Sequence, residues 1–323
     1  MRYLTLSLLV FAIGCNNPDS RHGGTGGAGG GGGGGSAGAG GGGGGGTGGT
    51  GGSGGGGGGG TDGCSEAAKL IYTIDTDGTF SSFKPNQMDI NQSVFTDIGK
   101  LNCNAGNGYQ PFSMSVDRTA VAWVEFAQQG GSGPNKLFKV STTDASCTPT
   151  TFVGNQAGFN QFGMGFVSDA VMSQQETLFV AGAVMVGGGN SSLGTLNLST
   201  MVITKVGMPL NGDPELTGNG LGELWGFFPD ASNPRVAKID KTTATESNAV
   251  MLGSAAGQGA AWAFGFYGGD FWVFLAKQNG LAGSKQTIVY HVTTTMLKDQ
   301  LDTVTRHIVG AGVSTCAPTT PIG

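Results

Sequence analysis

Charge is scarce in this chain. Its 323 residues carry only 16 Lys+Arg, 21 Asp+Glu and 3 His, for a formal net charge of −5. No block of either sign occurs, which excludes the basic footprint of a nucleic-acid binder. His291 and His307 stand alone and there is no C-x-x-C or Cys/His pairing, so neither a metal nor a cofactor is expected. The glycine-rich stretch has no three-residue period and no proline, which excludes collagen.

Glycine is abundant but unevenly spread. Of the 65 Gly, 31 fall within residues 23–63. From Asn16 to Gly63 no apolar side chain is larger than Ala or Pro, so nothing there offsets the entropy of ordering. Residues 15–63 are expected to form a disordered tether, about 38 Å end to end on average and about 160 Å when taut. Residues 64–323 have ordinary composition and are long enough to bury one core.

The N-terminus is an address. Met1-Arg2 precedes an apolar run from Leu4 to Ile13, broken only by Thr5 and Ser7. Ten residues of helix span about 15 Å, half a bilayer core, which fits a signal peptide over residues 1–14. Ala12-Ile13-Gly14-Cys15 resembles a bacterial lipobox, with Ala12 in place of the usual Leu. The resemblance implies that Cys15 is lipidated and anchors the mature chain to membrane; a conventional cleaved signal with an incidental Cys is the alternative. Asn16 stands where an Asp would imply inner-membrane retention, so the outer membrane is the expected destination.

Beyond Cys64 the chain repeats itself. Short runs rich in aromatic and β-branched residues alternate with Gly/Asn/Pro/Ser turns. One strand type covers Leu70–Ile74, Val121–Glu125, Leu178–Val180, Leu224–Phe227 and Phe271–Phe274. Its aromatics at 72, 123, 179, 225 and 272 recur roughly every 50 residues. A second type follows at Leu137–Thr143, Thr195–Thr200, Val236–Thr242 and Val289–Thr295, ending in Thr/Ser/Asp turns, with a weak first copy at Thr79–Phe83. A third type precedes the first and carries small residues: Phe112–Val116, Phe162–Phe166 and Ala263–Phe266.

Four strands in about 50 residues is the arithmetic of an all-β propeller blade, with small residues where inner strands converge on the axis. A two-sheet sandwich would not demand the period. Blade one lacks its small-residue strand, and Ile308–Val313 supplies it at the C-terminus. Five four-stranded blades closed by the last strand are expected, with six as the alternative.

Cys15 aside, four cysteines remain: Cys64, Cys103, Cys147 and Cys316. In an exported domain an even number suggests two disulfides among three connectivities. Ring closure favours Cys64–Cys316, which leaves Cys103–Cys147.

Catalytic signatures are absent. Asp75-Thr76-Asp77-Gly78 lacks the later ligands of a calcium loop and suits a hairpin turn. The runs Gly187–Gly189 and Gly130–Gly133 lack the context of a phosphate cradle or a nucleophile elbow. Asp117, Asp169, Asp213, Glu215 and Asp270 fall beside inner strands, where they could line a funnel as in some glycosidases or cap tight turns. The uncharged loops 104–111, 153–161 and 253–260 carry amides with an occasional aromatic, and Tyr109, Gln110, Asn155, Phe159 and Asn160 are candidates for contact with a neutral ligand.

Lipobox, poly-Gly tether, Asp-Gly hairpin, Phe162-Gly-Met-Gly-Phe166, Glu223–Pro229 and Val309–Cys316 together resemble a group of Gram-negative lipoproteins with propeller-like domains. The resemblance implies export and anchoring, and brings no activity with it. The reading is a monomeric membrane-tethered module that binds protein or glycan. A hydrolase or lyase with funnel carboxylates is one alternative, and a structural envelope protein another.

Overall fold

Runs of aromatic and β-branched residues between turn residues build antiparallel strands throughout the computed structural model. It describes residues 63–130, 133–183, 190–230, 232–253, 259–276 and 286–322. The signal peptide, Cys15, the tether up to residue 62, Gly131-Ser132 and Gly187–Gly189 lie outside the described residues.

Blade 1 holds β1 (Ile71–Asp75), β2 (Thr79–Lys84) and β3 (Val94–Lys100). Blade 2 is β4 (Tyr109–Val116), β5 (Val121–Gln128), β6 (Lys136–Ser141) and β7 (Cys147–Pro149). Blade 3 is β8 (Gln161–Ser168), β9 (Glu176–Ala183), β10 (Asn190–Asn197) and β11 (Val202–Asn211). Blade 4 is β12 (Glu215–Gly218), β13 (Leu224–Phe228), β14 (Arg235–Ile239) and β15 (Glu246–Met251). Blade 5 is β16 (Ala261–Tyr267), β17 (Asp270–Ala276), β18 (Thr287–Val292) and β19 (Leu297–Val304). The last strand, β20 (Ile308–Val313), pairs antiparallel with β1, Ile71 opposite Val313 and Thr73 opposite Ala311. Five four-stranded sheets result, and β20 completes the first. The fold is a five-bladed β-propeller.

Five hydrophobic clusters each occupy one blade–blade interface. Each sheet therefore has apolar neighbours on both faces, which is why β1, β13 and β18 are buried at every position rather than alternately. The inner strands pack in the ring order β20, β4, β8, β12, β16 and back to β20. Small residues permit that approach: a Cβ on Gly163 would stand 2.6 Å from the Pro214 carbonyl oxygen, and one on Gly312 2.9 Å from Ser115 Cα.

The Thr/Ser/Asp turns of the repeat have a shared geometry. After β6, β10 and β14, the amides of Ala145, Met201 and Ala244 bond back to the carbonyls of Ser141, Asn197 and Asp240. These three residues take φ of 60°, 56° and 62°, the left-handed conformation that closes the turn. At the first hairpin, Asp77 accepts from the amide and hydroxyl of Thr79 (3.0 and 2.7 Å), so that motif is a turn.

Both disulfides join the expected partners. Cys64 and Cys316 are 5.9 Å apart at Cα, and Cys103 and Cys147 5.0 Å. The first holds the two ends of the domain together beside blade 1. The second joins the segment after β3 to β7, so it staples the outer edges of two neighbouring blades.

Candidate functional site

The inner strands have a free edge facing the axis, and its backbone donors need partners. Side chains from neighbouring blades provide them. On β8, the amide of Phe162 donates to Glu125 (3.1 Å), that of Met164 to Glu215 (3.1 Å) and that of Phe166 to Ser115 (3.0 Å). On β16, the amide of Phe266 donates to Thr217 (3.1 Å). The Ser113 hydroxyl also donates to Glu215 (2.7 Å), and the Asn135 amide to Glu125 (2.5 Å). Desolvation pushes the Glu215 carboxyl up to about 8, against its hydrogen bonds. Desolvation also raises Glu125 well above the carboxylate range, with the nearby Glu215 adding to it. At neutral pH Glu215 is therefore protonated.

Above this network lies a cavity of about 410 Å³ at the mouth where the inner strands begin. Its wall follows the repeat. Phe112, Phe162, Pro214, Trp262 and Val309, one from each blade, each stand three residues before the inner-strand residue paired with the repeat's aromatic (Ser115, Gly165, Thr217, Gly265 and Gly312), and all five line it. The next position is small in four blades, Ser113, Gly163, Ala263 and Gly310, but is Glu215 in blade 4. Gly163 leaves the room for it, since a Cβ there would lie 3.2 Å from the Glu215 carboxyl carbon. Gln110, Gln161, Asp213, Ser191, Thr76 and His307 complete the polar lining. The Ser191 hydroxyl donates to Asp213 (2.6 Å) and fixes its carboxylate.

The opposite end of the axis is covered by the segment after β20. Thr315 donates to Glu176 (2.7 Å) and accepts from Arg118 (3.1 Å), and a Cβ on Gly220 would meet the Thr315 carbonyl at 2.7 Å. Among the described residues, that segment therefore lies across the end of the axis opposite the cavity.

The structure divides the five carboxylates between those two ends. Asp117 accepts from Thr119 and from the Trp123 indole (2.9 Å), Asp169 accepts from Thr177 (2.7 Å), and Asp270 meets His291 (2.8 Å), all at turns after inner strands. Asp213 and Glu215 share the cavity.

Of the five loop candidates, Gln110 lines the cavity. Tyr109 donates to the Pro134 carbonyl (2.9 Å) and carries the Lys136 ammonium 4.4 Å above its ring. Asn155 is exposed at φ 61°, and its amide bonds Asn135 (3.1 Å). Phe159 is fully buried between blades 2 and 3, and Asn160 is half-buried. Trp262, His307 and Glu125 were not singled out by sequence. Extending the third strand type one residue toward the N-terminus in blade 5 finds Trp262, whereas nothing local marks the other two.

No protein-family model matches the chain, and neither does any curated protein. Solved structures with a similar fold include a nidogen/laminin complex, 11% identical with a TM-score of 0.44 over 75% of this chain and 97% of that one. A luciferin-regenerating enzyme is 15% identical, with a TM-score of 0.43 over 71% and 89%. Regucalcin, a calcium-binding protein from Agrobacterium tumefaciens, is 11% identical, with a TM-score of 0.41 over 73% and 78%. At these identities the likeness concerns the fold alone.

Proposed function

We propose that the protein is a lipid-anchored binding module of the bacterial envelope whose funnel receives a polar ligand of the glycan class. The observation that carries this reading is the cavity, where amides, hydroxyls and two half-buried aromatics, Phe112 and Trp262, meet in one open space. Aromatic faces and amide groups suit sugar rings, which have apolar faces and polar rims. Two disulfides suit an exported domain, and lipid on Cys15 would tether it to the outer membrane. The test is a glycan array probed with the full chain in detergent, alongside Trp262→Ala. Binding that the substitution removes is the expected result, and an array without hits overturns it. Membrane fractionation with Cys15→Ser checks the anchor, since that chain should appear in the soluble fraction.

A hydrolase is the second reading, favoured by Asp213 and Glu215 sharing the cavity. A glycosidase panel decides it: turnover abolished by Asp213→Asn would put chemistry, and not binding alone, in the funnel.

A further inference from the structure

Large apolar side chains stand exposed at the end of the axis opposite the cavity. In the turn after β8, Val171 and Met172 are 68% and 69% exposed, and Leu221 is exposed in the turn after β12. The Met172 amide donates to the Gly220 carbonyl (2.7 Å), so the two turns are joined and present their tips together. On the far side of the ring, where blades 5 and 1 meet, Met88 is 86% exposed in the segment after β2. Its neighbour Gln87 donates to the Tyr267 and Gly268 carbonyls of the turn after β16 (3.2 and 2.9 Å) and accepts from the amide of Ile322, also exposed (3.0 Å).

The chain enters the domain at this same end. A Cβ on Gly63 would lie 3.6 Å from the side chain of Gln174, two residues past Met172, and Cys64 is bonded to Cys316. Everything N-terminal of Gly63, Cys15 included, therefore joins the domain beside the apolar tips. Charge does not dominate the face. Lys241 aims its ammonium at the Ser168 and Asp169 carbonyls (3.2 and 3.3 Å), Lys298 at that of Gln87 (3.3 Å), and the Asp169 side chain is exposed near Val171.

Exposed apolar tips gathered on one face mark an interaction surface. A groove for a peptide would bring them together, whereas tips on opposite sides of a ring meet only something flat and extended. We infer that this face docks on the lipid surface to which Cys15 is anchored, with Met172 and Met88 entering the headgroup layer, so that the funnel mouth points away from the membrane. This rests on the anchor reading above and adds an orientation to it. An anchor holds the face near lipid at an effective concentration on the order of millimolar, so tips too weak to hold a free domain suffice to orient a tethered one.

The experiment uses the full lipidated chain in phosphatidylcholine vesicles, with and without bromine on the acyl chains, which quenches an indole only at close range. Met172→Trp and Met88→Trp add an indole at each tip. Met251→Trp adds one at the cavity end, since Met251 is paired with Arg235, which bonds Asn211 just before the cavity. All three positions are exposed, and melting temperatures equal to wild type confirm the fold. After subtraction of wild-type emission, the indoles at positions 172 and 88 should be quenched by bromine and that at 251 should not. Raising salt should change neither result, because apolar contact and not headgroup charge holds the face. Replacing Val171 and Met172 by Asp in the Met88→Trp chain should relieve quenching while the chain still floats with the vesicles. Equal quenching at all three positions, or at none, in vesicles that carry the protein overturns the docking and leaves the anchor standing. Failure of the wild-type chain to float with vesicles overturns both. A blue shift at position 172 that ignores bromine and grows with protein density overturns lipid as the occupant and assigns the face to a second copy.

Discussion

Glu215 is a carboxyl group where four of five blades carry a small residue, and it is only 3% exposed. Its protonation in the folded state has a measurable consequence. The unfolded carboxyl titrates near 4.5 and the folded one near 8, so between those values the native state binds more protons than the unfolded chain. Stability from this group is fully present below the unfolded value and is lost as pH rises toward 8. Glu125 acts in the same direction. Carboxylates held low by turn hydrogen bonds, such as Asp77 and Asp230, lose stability only at more acid pH and do not mask the window. The wild-type melting temperature should therefore fall between about pH 5 and about pH 8. Glu215→Gln keeps an oxygen for Ser113 and the Met164 amide, and should flatten that slope. A variant curve parallel to wild type would contradict a neutral native Glu215. Glu215→Ala removes the acceptor altogether and leaves a void, so about 2–4 kcal/mol should be lost in denaturant titrations.

The close approach of β8 to β12 rests on two glycines of Phe162-Gly-Met-Gly-Phe166. A Cβ on Gly163 would meet Pro214 and Glu215 backbone at 2.6 and 2.8 Å, atoms that cannot move aside cheaply. Gly163→Ala should cost about 1–3 kcal/mol by overpacking and weaken any ligand binding in the cavity. Unchanged stability in denaturant titration would mean that the inner strands are looser than the contacts imply. This element was legible in sequence because its cause is steric and local. Second strands such as Phe271–Phe274 were legible too, since burial on both faces leaves unbroken apolar runs. The outer strands were not: β3 is largely exposed, and Val94-Phe-Thr-Asp-Ile-Gly-Lys100 carries no clean alternation. Nor was β12, four residues long, with Glu and Thr at positions that are small elsewhere. Glu125 reads as the end of an ordinary strand, because its partners are the Phe162 amide on β8 and Asn135 in the loop before β6. The two ends of the axis also look alike in sequence, since carboxylates flank the inner strands at both.

A ring made from one chain must be closed somewhere, and here closure depends on β20 staying paired with β1. Terminal strands fray first, and fraying here would expose the apolar sides of blades 1, 2 and 5 together. Several contacts oppose it: Ser314 donates to the Ala68 carbonyl (2.6 Å), Thr315 to Glu176, and Cys64–Cys316 closes a separation of 252 residues. On the chain-entropy model that bond is worth about 5 kcal/mol, and Cys103–Cys147, over 44 residues, about 4 kcal/mol. Similar energies should give different local effects. Replacing Cys64 and Cys316 together by Ser should raise hydrogen exchange first in β20 and β1, and then in the inner strands that pack on β20. Replacing Cys103 and Cys147 should loosen β3 and β7 while β20 keeps its protection. Non-reduced peptide mapping of the wild type should recover the two pairs separately, and a peptide joining Cys64 to Cys103 would refute the closure. If both double variants exchange uniformly faster across all blades, the ring opens as one cooperative unit, and the terminal strand is not the place where it gives way.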